Sequence, residues 1–386
     1  MKFLLKFFKW FAIVLASIII VMYIFDVDYL LRAVRTIYFK GYTTAFLEDY
    51  KEFPNREIKK GIAQPWTIAS DYNTIPATNK LAKNHKKLQT IAYLIIKNDS
   101  IWHESYFDGF EENSKSNSFS MAKSIVTMAM GKAIMEGKIK SLDQKVIDFF
   151  PELKGTYAKE VTIGDLSSMA SGLSWDEKYY SPFSIVTRAY FDDDLKNVIL
   201  NLDINEKPGQ SFKYLSGATQ LLAMCIEKAT GEHLSAYVSK HFWQPMGAEN
   251  DALWQLDEAP DGIEKAYCCI ASNARDFARF GKLYLNDGKW NGKQLLDSDF
   301  VKKCITPRFE NSPEYGYGWW MHNFLGKDLY YMRGHLGQFV IVIPEDELII
   351  VRLGHLKGVQ TSYDPHSEDL YVYVEEAYEM LKLRKK

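Results

Sequence analysis

Ser120-Met121-Ala122-Lys123 sets a hydroxyl and an amine three residues apart, directly after a run of short polar residues. Positions i and i+3 share one helix face, and apolar Ile125, Met128, Ala129 and Ala133 predict a helix over Ile125 to Met135. A serine at such a helix start lies among unpaired N–H groups that can hold negative charge on an attacked carbonyl oxygen. Lys123 serves as a base only if burial lowers its pKa, and the apolar neighbours Met121, Ala122, Ile125 and Val126 point that way. The plainer reading of the same four residues is an N-cap serine beside a solvated lysine.

Two distant stretches carry complementary chemistry. In Pro208-Gly209-Gln210-Ser211-Phe212-Lys213-Tyr214-Leu215-Ser216-Gly217 a turn delivers Tyr214 and Ser216 just ahead of a helix over Ala218 to Lys228. The Tyr214 phenol can return a proton to a leaving group, and a neighbouring ammonium would lower its pKa into a useful range. A packing tyrosine and an N-cap serine fit the same residues. Arg333-Gly334-His335-Leu336-Gly337-Gln338 opens onto a β-rich run, where glycines permit close approach of a ligand and the Gln338 N–H is a candidate oxyanion donor. Its alternative is a glycine-rich turn with a surface histidine.

The elements that must bring these stretches together are legible in outline. Thr90 to Lys97 and Ile101 to Phe107 read as a β-hairpin across Asn98-Asp99-Ser100. The chain from about 142 to 260 has mostly helical periodicity, broken by Pro151, Pro182, Pro208 and Pro245. Strand character returns at Leu329 to Met332, Phe339 to Ile343 and Leu348 to Leu353, and an amphipathic helix over Glu368 to Leu383 would pack on that sheet. A helical lobe inserted into an α/β unit places the connecting loops at the junction, a favoured position for a pocket.

Composition sets the class. The chain has 386 residues, 47% hydrophobic and 25% charged, and a net charge of −2 that gives nucleic acid no support as a partner. Its four cysteines, Cys225, Cys268, Cys269 and Cys304, show neither a disulfide framework nor zinc spacing, and adjacent Cys268 and Cys269 look poorly placed to bridge each other. No histidine pair has metal-ligand spacing, so no metal is expected. Lys2, Lys6 and Lys9 precede an apolar run from Trp10 to Phe25. Its sixteen residues cover about 24 Å, which Phe3 to Phe8 and a snorkelling Lys9 would extend to span a membrane. Bulky Met22 to Phe25 sit where a signal-peptide cleavage site would need small residues, which favours an uncleaved anchor over 1–26 above a cleaved signal. The lysines predict an N-in orientation, with everything after residue 26 outside the cytoplasm. Residues 27–84 read as a juxtamembrane connector without recognisable chemistry, and 85–386 as the catalytic domain.

In this order and spacing the three motifs resemble the serine β-lactamase and penicillin-binding-protein superfamily, with its S-x-x-K, Y-x-N or S-x-N, and K-T-G signatures. Phe119 to Ser124, Leu166 to Trp175, the run from Pro208 to Gly217, Ala271 to Gly281, and Gly334 to Gln338 are most similar to the class C-like branch of 6-aminohexanoate-dimer hydrolases and related esterases. The resemblance implies an α/β (α+β) fold: an antiparallel sheet flanked by helices beside an all-helical lobe. It implies Ser120 as nucleophile, Lys123 and Tyr214 as proton carriers, and the Ser120 and Gln338 N–H groups as the oxyanion site. His335 would orient Tyr214 or touch substrate, and Gly337, Ser216 and Trp175 would touch it; Glu177, Tyr179 and Tyr180 are further candidates for the pocket wall, and ordinary surface or packing roles fit Trp175 and these three equally well. No cofactor is implied. Ser216 stands where the lactamases carry asparagine, and His335-Leu336-Gly337 replaces K-T-G. Both departures favour linear amides or esters over β-lactams. A β-lactamase or D,D-peptidase, and a sensor that keeps the motifs without turnover, are the alternatives. Native substrate and oligomeric state are not legible.

Overall fold

The computed structural model describes residues 1–384. Its main sheet has seven strands in the spatial order Trp320–Phe324, Lys327–Gly334, Gln338–Ile343, Leu348–Gly354, Thr90–Lys97, Ser100–Tyr106 and Thr67–Ile68. All neighbours are antiparallel except the last pair. The expected hairpin is present: Lys97 pairs with Ser100, and Asn98 and Asp99 both take positive φ, the backbone that a two-residue turn between right-twisted strands demands.

Alternation along the strands separates two faces. Tyr93, Ile95, Tyr331, Phe339 and Ile341 bury against Leu370, Tyr373, Ala377 and Met380 of the C-terminal helix Glu368–Arg384. Leu94, Ile96, Val340 and Val342 face the larger core on the other side. There the helix Ala274–Leu285 lies so close that a Cβ on Gly281 would stand 3.0–3.3 Å from Val340, Val342 and Ile349.

The middle of the chain is helical as expected, with its longest helix at Ser216–Thr230. It is not purely so. Strand Ala252–Gln255 sits in a second, four-stranded sheet with Asn55–Ile58, Ile270–Ser272 and Ser116–Asn117. That sheet also corrects the reading of 27–84 as a bare connector: Asn55–Ile58 pairs with Ala252–Gln255, and Thr67–Ile68 extends the main sheet. Cys268 and Cys269 are likewise corrected. They are bridged, on a turn where Cys269 takes φ 80°.

The N-terminal helix runs over Lys2–Ile24, longer than the apolar core from Trp10 because the lysine-flanked phenylalanines join it. Its 23 residues rise about 34 Å, enough by length and composition to cross a membrane.

Candidate active site

Ser120 lies in a 3-10 turn, Phe119–Met121, that feeds the helix Ala122–Met135, three residues earlier than the apolar period indicates. The turn is held from several sides. Asn117 N–H donates to the Leu47 carbonyl at 2.7 Å, Ser118 N–H to Ile270 at 2.7 Å, and Phe119 N–H to Asn117 Oδ1 at 2.8 Å. These bonds stabilise Phe119 at φ 45°, a left-handed conformation that costs a bulky residue about 1–3 kcal/mol. Among the described residues nothing accepts a hydrogen bond from the Ser120 main-chain N–H, so it is free to meet a ligand oxygen.

Lys123 is buried, and its Nζ donates to Ser120 Oγ at 2.9 Å and to the Tyr267 carbonyl at 2.7 Å. Burial lowers its pKa to about 7, against a smaller upward pull from Glu177. The amine is therefore substantially neutral near pH 7, with a lone pair for the serine proton.

Tyr214 stands beside this pair, its ring centroid 5.2 Å from Lys123 Nζ. Its pKa departs from the sequence expectation. Burial, then the Glu177 charge, push the phenol above its ordinary value, and the hydrogen bond with Ser120 only partly offsets them. Lys123, half neutral, is a weak source of the positive field the expectation needed. Tyr214 thus stays protonated, the form in which a phenol can donate or relay a proton.

Glu177 organises the adjoining loop. Its carboxylate accepts hydrogen bonds from the Ser216 N–H, from the Tyr179 hydroxyl and, at 3.2 Å, from Ser216 Oγ. Ser216 is consequently the first residue of its helix, and not the N-cap. A carboxylate from 39 residues away satisfies the helix's leading donor. Tyr179 stacks on His335 at 5.4 Å, and His335 meets Phe119 edge-on at 5.6 Å, closing a wall between this loop and the Ser120 turn. Burial, aided by Lys357, lowers the His335 pKa to about 4, so the imidazole is neutral where the K-T-G motif has a cation.

Two recesses meet at Ser120. One is mainly apolar and also contains Ser216 and His335. The other is the more polar of the two, with Glu177, Tyr214, Arg333, Lys357 and Gln360 set beside Tyr179 and Trp320. Three expected site residues lie behind these walls. Trp175 packs beneath the start of the Ser216 helix, where a Cβ on Gly217 would stand 2.5 Å from its ring. Gly337 gives its carbonyl to Arg352 at 2.8 Å. Gln338 is fully buried: its Nε2 donates to the His335 and Gly354 carbonyls at 3.0 and 2.7 Å, and its Oε1 accepts from Gly354 N–H at 2.9 Å. The corner that reaches the cavity is Gly334–His335, with Gly334 packed against the Ser118 carbonyl. Gly334 pairs with Gln338 as the two strands close, and of this turn Gly334 and His335 line the recess while Gln338 is buried. Gln338→Ala should orphan three buried polar groups and lower unfolding free energy by about 2–4 kcal/mol in urea titration; a loss below about 0.5 kcal/mol would rule out the clamp.

Sequence reasoning did not reach the Tyr267 carbonyl, because main-chain acceptors leave no mark on residue type. It also gave no role to Arg333, within a quoted motif, or to Asp49 and Leu47, which hold Asn117.

The Beta-lactamase family profile matches residues 78–370. A 6-aminohexanoate-dimer hydrolase of Paenarthrobacter ureafaciens is 26% identical over 227 residues, 56% of this chain and 57% of that protein. The chain thus spans less than two thirds of this relative's length. Among solved structures, a Bacillus anthracis protein assigned as a 6-aminohexanoate-dimer hydrolase superposes with TM-score 0.70 at 23% identity, covering 92% of this chain and 95% of that one. A family VIII carboxylesterase superposes with TM-score 0.61 at 15% identity, covering 82% and 99%.

Proposed function

Because the chain belongs to the Beta-lactamase family, we propose that it is a membrane-anchored serine hydrolase that cleaves linear amides or esters through an acyl-enzyme on Ser120. The observation that carries this reading is the buried Lys123 amine, 2.9 Å from Ser120 Oγ with its pKa near 7.

Ser120 Oγ attacks the substrate carbonyl while neutral Lys123 takes its proton. Oxyanion charge falls on the Ser120 N–H, and the second donor is the main-chain N–H of His335, in place of the Gln338 N–H that the motif alone suggests. The proton passes through Tyr214 to the departing amine or alcohol. Water, deprotonated by the same amine, then hydrolyses the acyl ester and frees Ser120. Ser216 stands where the lactamases carry an asparagine amide, and neutral His335 stands where they carry the K-T-G lysine, which favours linear substrates; the cations of this recess, Arg333 and Lys357, come from other positions. The helix Lys2–Ile24 is the anchor, and Lys2, Lys6 and Lys9 keep its N-terminus in the cytoplasm.

The test is turnover by the full chain in detergent of p-nitrophenyl acetate, 6-aminohexanoate dimer and nitrocefin, beside Ser120→Ala. Multiple turnovers of the ester or the linear dimer, lost in the variant, are expected. Faster nitrocefin hydrolysis would transfer the assignment to a β-lactamase, and a stable adduct without release would make the protein a sensor.

A further inference from the structure

The apolar recess at Ser120 is built largely from the segment that joins the N-terminal helix to the body. Ala33 and Ile37 of the helical stretch after Asp28, and Thr44 and Ala45 beyond it, form one wall. Val186 and Phe191, on the helix Ile185–Phe191, face them. The recess leaves about 90 Å³ of room for the centre of a water molecule and opens to solvent at its mouth. The two walls are fastened where the N-terminal helix ends: Asp26 pairs with Arg188, and the Tyr29 hydroxyl donates to the Pro182 carbonyl at 3.2 Å. Aromatic side chains gather at the mouth. Tyr38 and Tyr180 line the recess yet are 53% and 69% exposed, and Phe39, next to Tyr38, and Phe183, three residues after Tyr180, stand 80% and 74% exposed. Large apolar side chains this exposed beside the end of an apolar helix suit a water–lipid boundary.

The two recesses differ in which reactive groups border them. Tyr214, the group that hands a proton to the leaving group, borders the polar recess and not the apolar one. The leaving group therefore departs on the side of Glu177, Arg333 and Lys357, and the acyl portion lies on the side of Ala33, Ile37 and Ala45.

We propose that the apolar recess is an acyl-chain pocket, walled by the juxtamembrane segment, and that the substrates are amphiphiles with an aliphatic acyl chain and a polar leaving group. This deepens the hydrolase reading and rests on it. No other function is needed for residues 33–45, which run close beside the nucleophile although 75 or more positions before it in sequence.

The full-length chain in detergent micelles is assayed with p-nitrophenyl octanoate and p-nitrophenyl acetate, as wild type, Ala45→Trp and Thr44→Phe. Ala45 and Thr44 are partly exposed at the lip, and Ala33→Leu fills the recess from deeper in. The wild type should prefer octanoate in kcat/KM by about tenfold or more, as burial of six further methylenes allows, and each filling variant should cut the octanoate-to-acetate ratio at least several-fold. Octanoate ester binding to Ser120→Ala, which holds substrate uncleaved, should weaken by a similar factor when Ala45→Trp is added. Equal kcat/KM for both esters, or variants that leave the ratio unchanged, would overturn the pocket. If neither ester is cleaved, the hydrolase reading fails separately, and binding to Ser120→Ala alone then decides: octanoate held more tightly than acetate and expelled by Ala45→Trp supports the pocket, and equal affinities refute it.

Discussion

Lys123→Ala should lower kcat/KM for a p-nitrophenyl ester by about 10³–10⁴-fold while the fold is retained, because a positioned general base contributes about 10²–10⁴ and Ser120 also loses its hydrogen-bond partner. The amine's burial gives this prediction a pH signature. Its pKa lies near 7, well below the ordinary lysine value, so the basic, neutral form accumulates as pH rises through 7. In the wild type kcat/KM should therefore rise about tenfold per pH unit below 7 and level off above it. Tyr214, pushed upward, adds no inflection in that range, and His335, with its pKa near 4, is already neutral. The residual activity of Lys123→Ala should lose the inflection near 7. A variant that keeps both the rate and the inflection would show that another group takes the serine proton.

Asp49→Ala is expected to have the largest effect on stability. The Asp49 carboxyl is fully buried and accepts hydrogen bonds from Asn117 Nδ2 at 2.9 Å, Gln255 Nε2 at 2.9 Å, the Tyr190 hydroxyl at 2.6 Å and the Phe46 N–H at 3.3 Å. Each orphaned buried donor costs about 1–3 kcal/mol, and neighbouring losses do not add in full, so about 3–5 kcal/mol is expected from the shift in a urea unfolding curve. Asn117 is also the residue that holds the Phe119 N–H in the Ser120 turn. The variant should consequently lose activity even at temperatures where it remains folded, as the left-handed Phe119 relaxes and Ser120 moves from Lys123. A stability change below about 1 kcal/mol with unaltered kcat/KM would separate Asp49 from the site.

Much of this architecture was legible because hydrophobic period and turn chemistry are local. The hairpin at 90–106 announces itself through β-branched runs and Asn98-Asp99, and the three C-terminal strands and last helix through alternation followed by a helical period. Ser120, Lys123 and Tyr214 were readable because their chemistry belongs to residue type and short spacing. What escaped depends on pairing between distant segments. That His335 reaches the cavity while Gln338 is buried depends on how the turn between two paired strands is packed, which no local pattern records. Trp175 looked like a pocket aromatic because nothing local reveals that Gly217 packs on its ring. The stretch 27–84 looked inert because it contributes a wall, one buried carboxylate and a main-chain carbonyl, none of which makes a motif. The direction of the Tyr214 pKa shift is not legible from its neighbours in sequence, since burial and the Glu177 charge outweigh a lysine that burial itself has largely neutralised.

Peptide mapping by mass spectrometry, after the full chain is mixed with p-nitrophenyl acetate and quenched in acid during turnover, tests the acyl-enzyme itself. One acetyl group on Ser120, absent from Ser120→Ala and formed far more slowly in Lys123→Ala, is the expected result. Turnover of the ester with Ser120 unmodified throughout, or with the acetyl group on another residue, would contradict it.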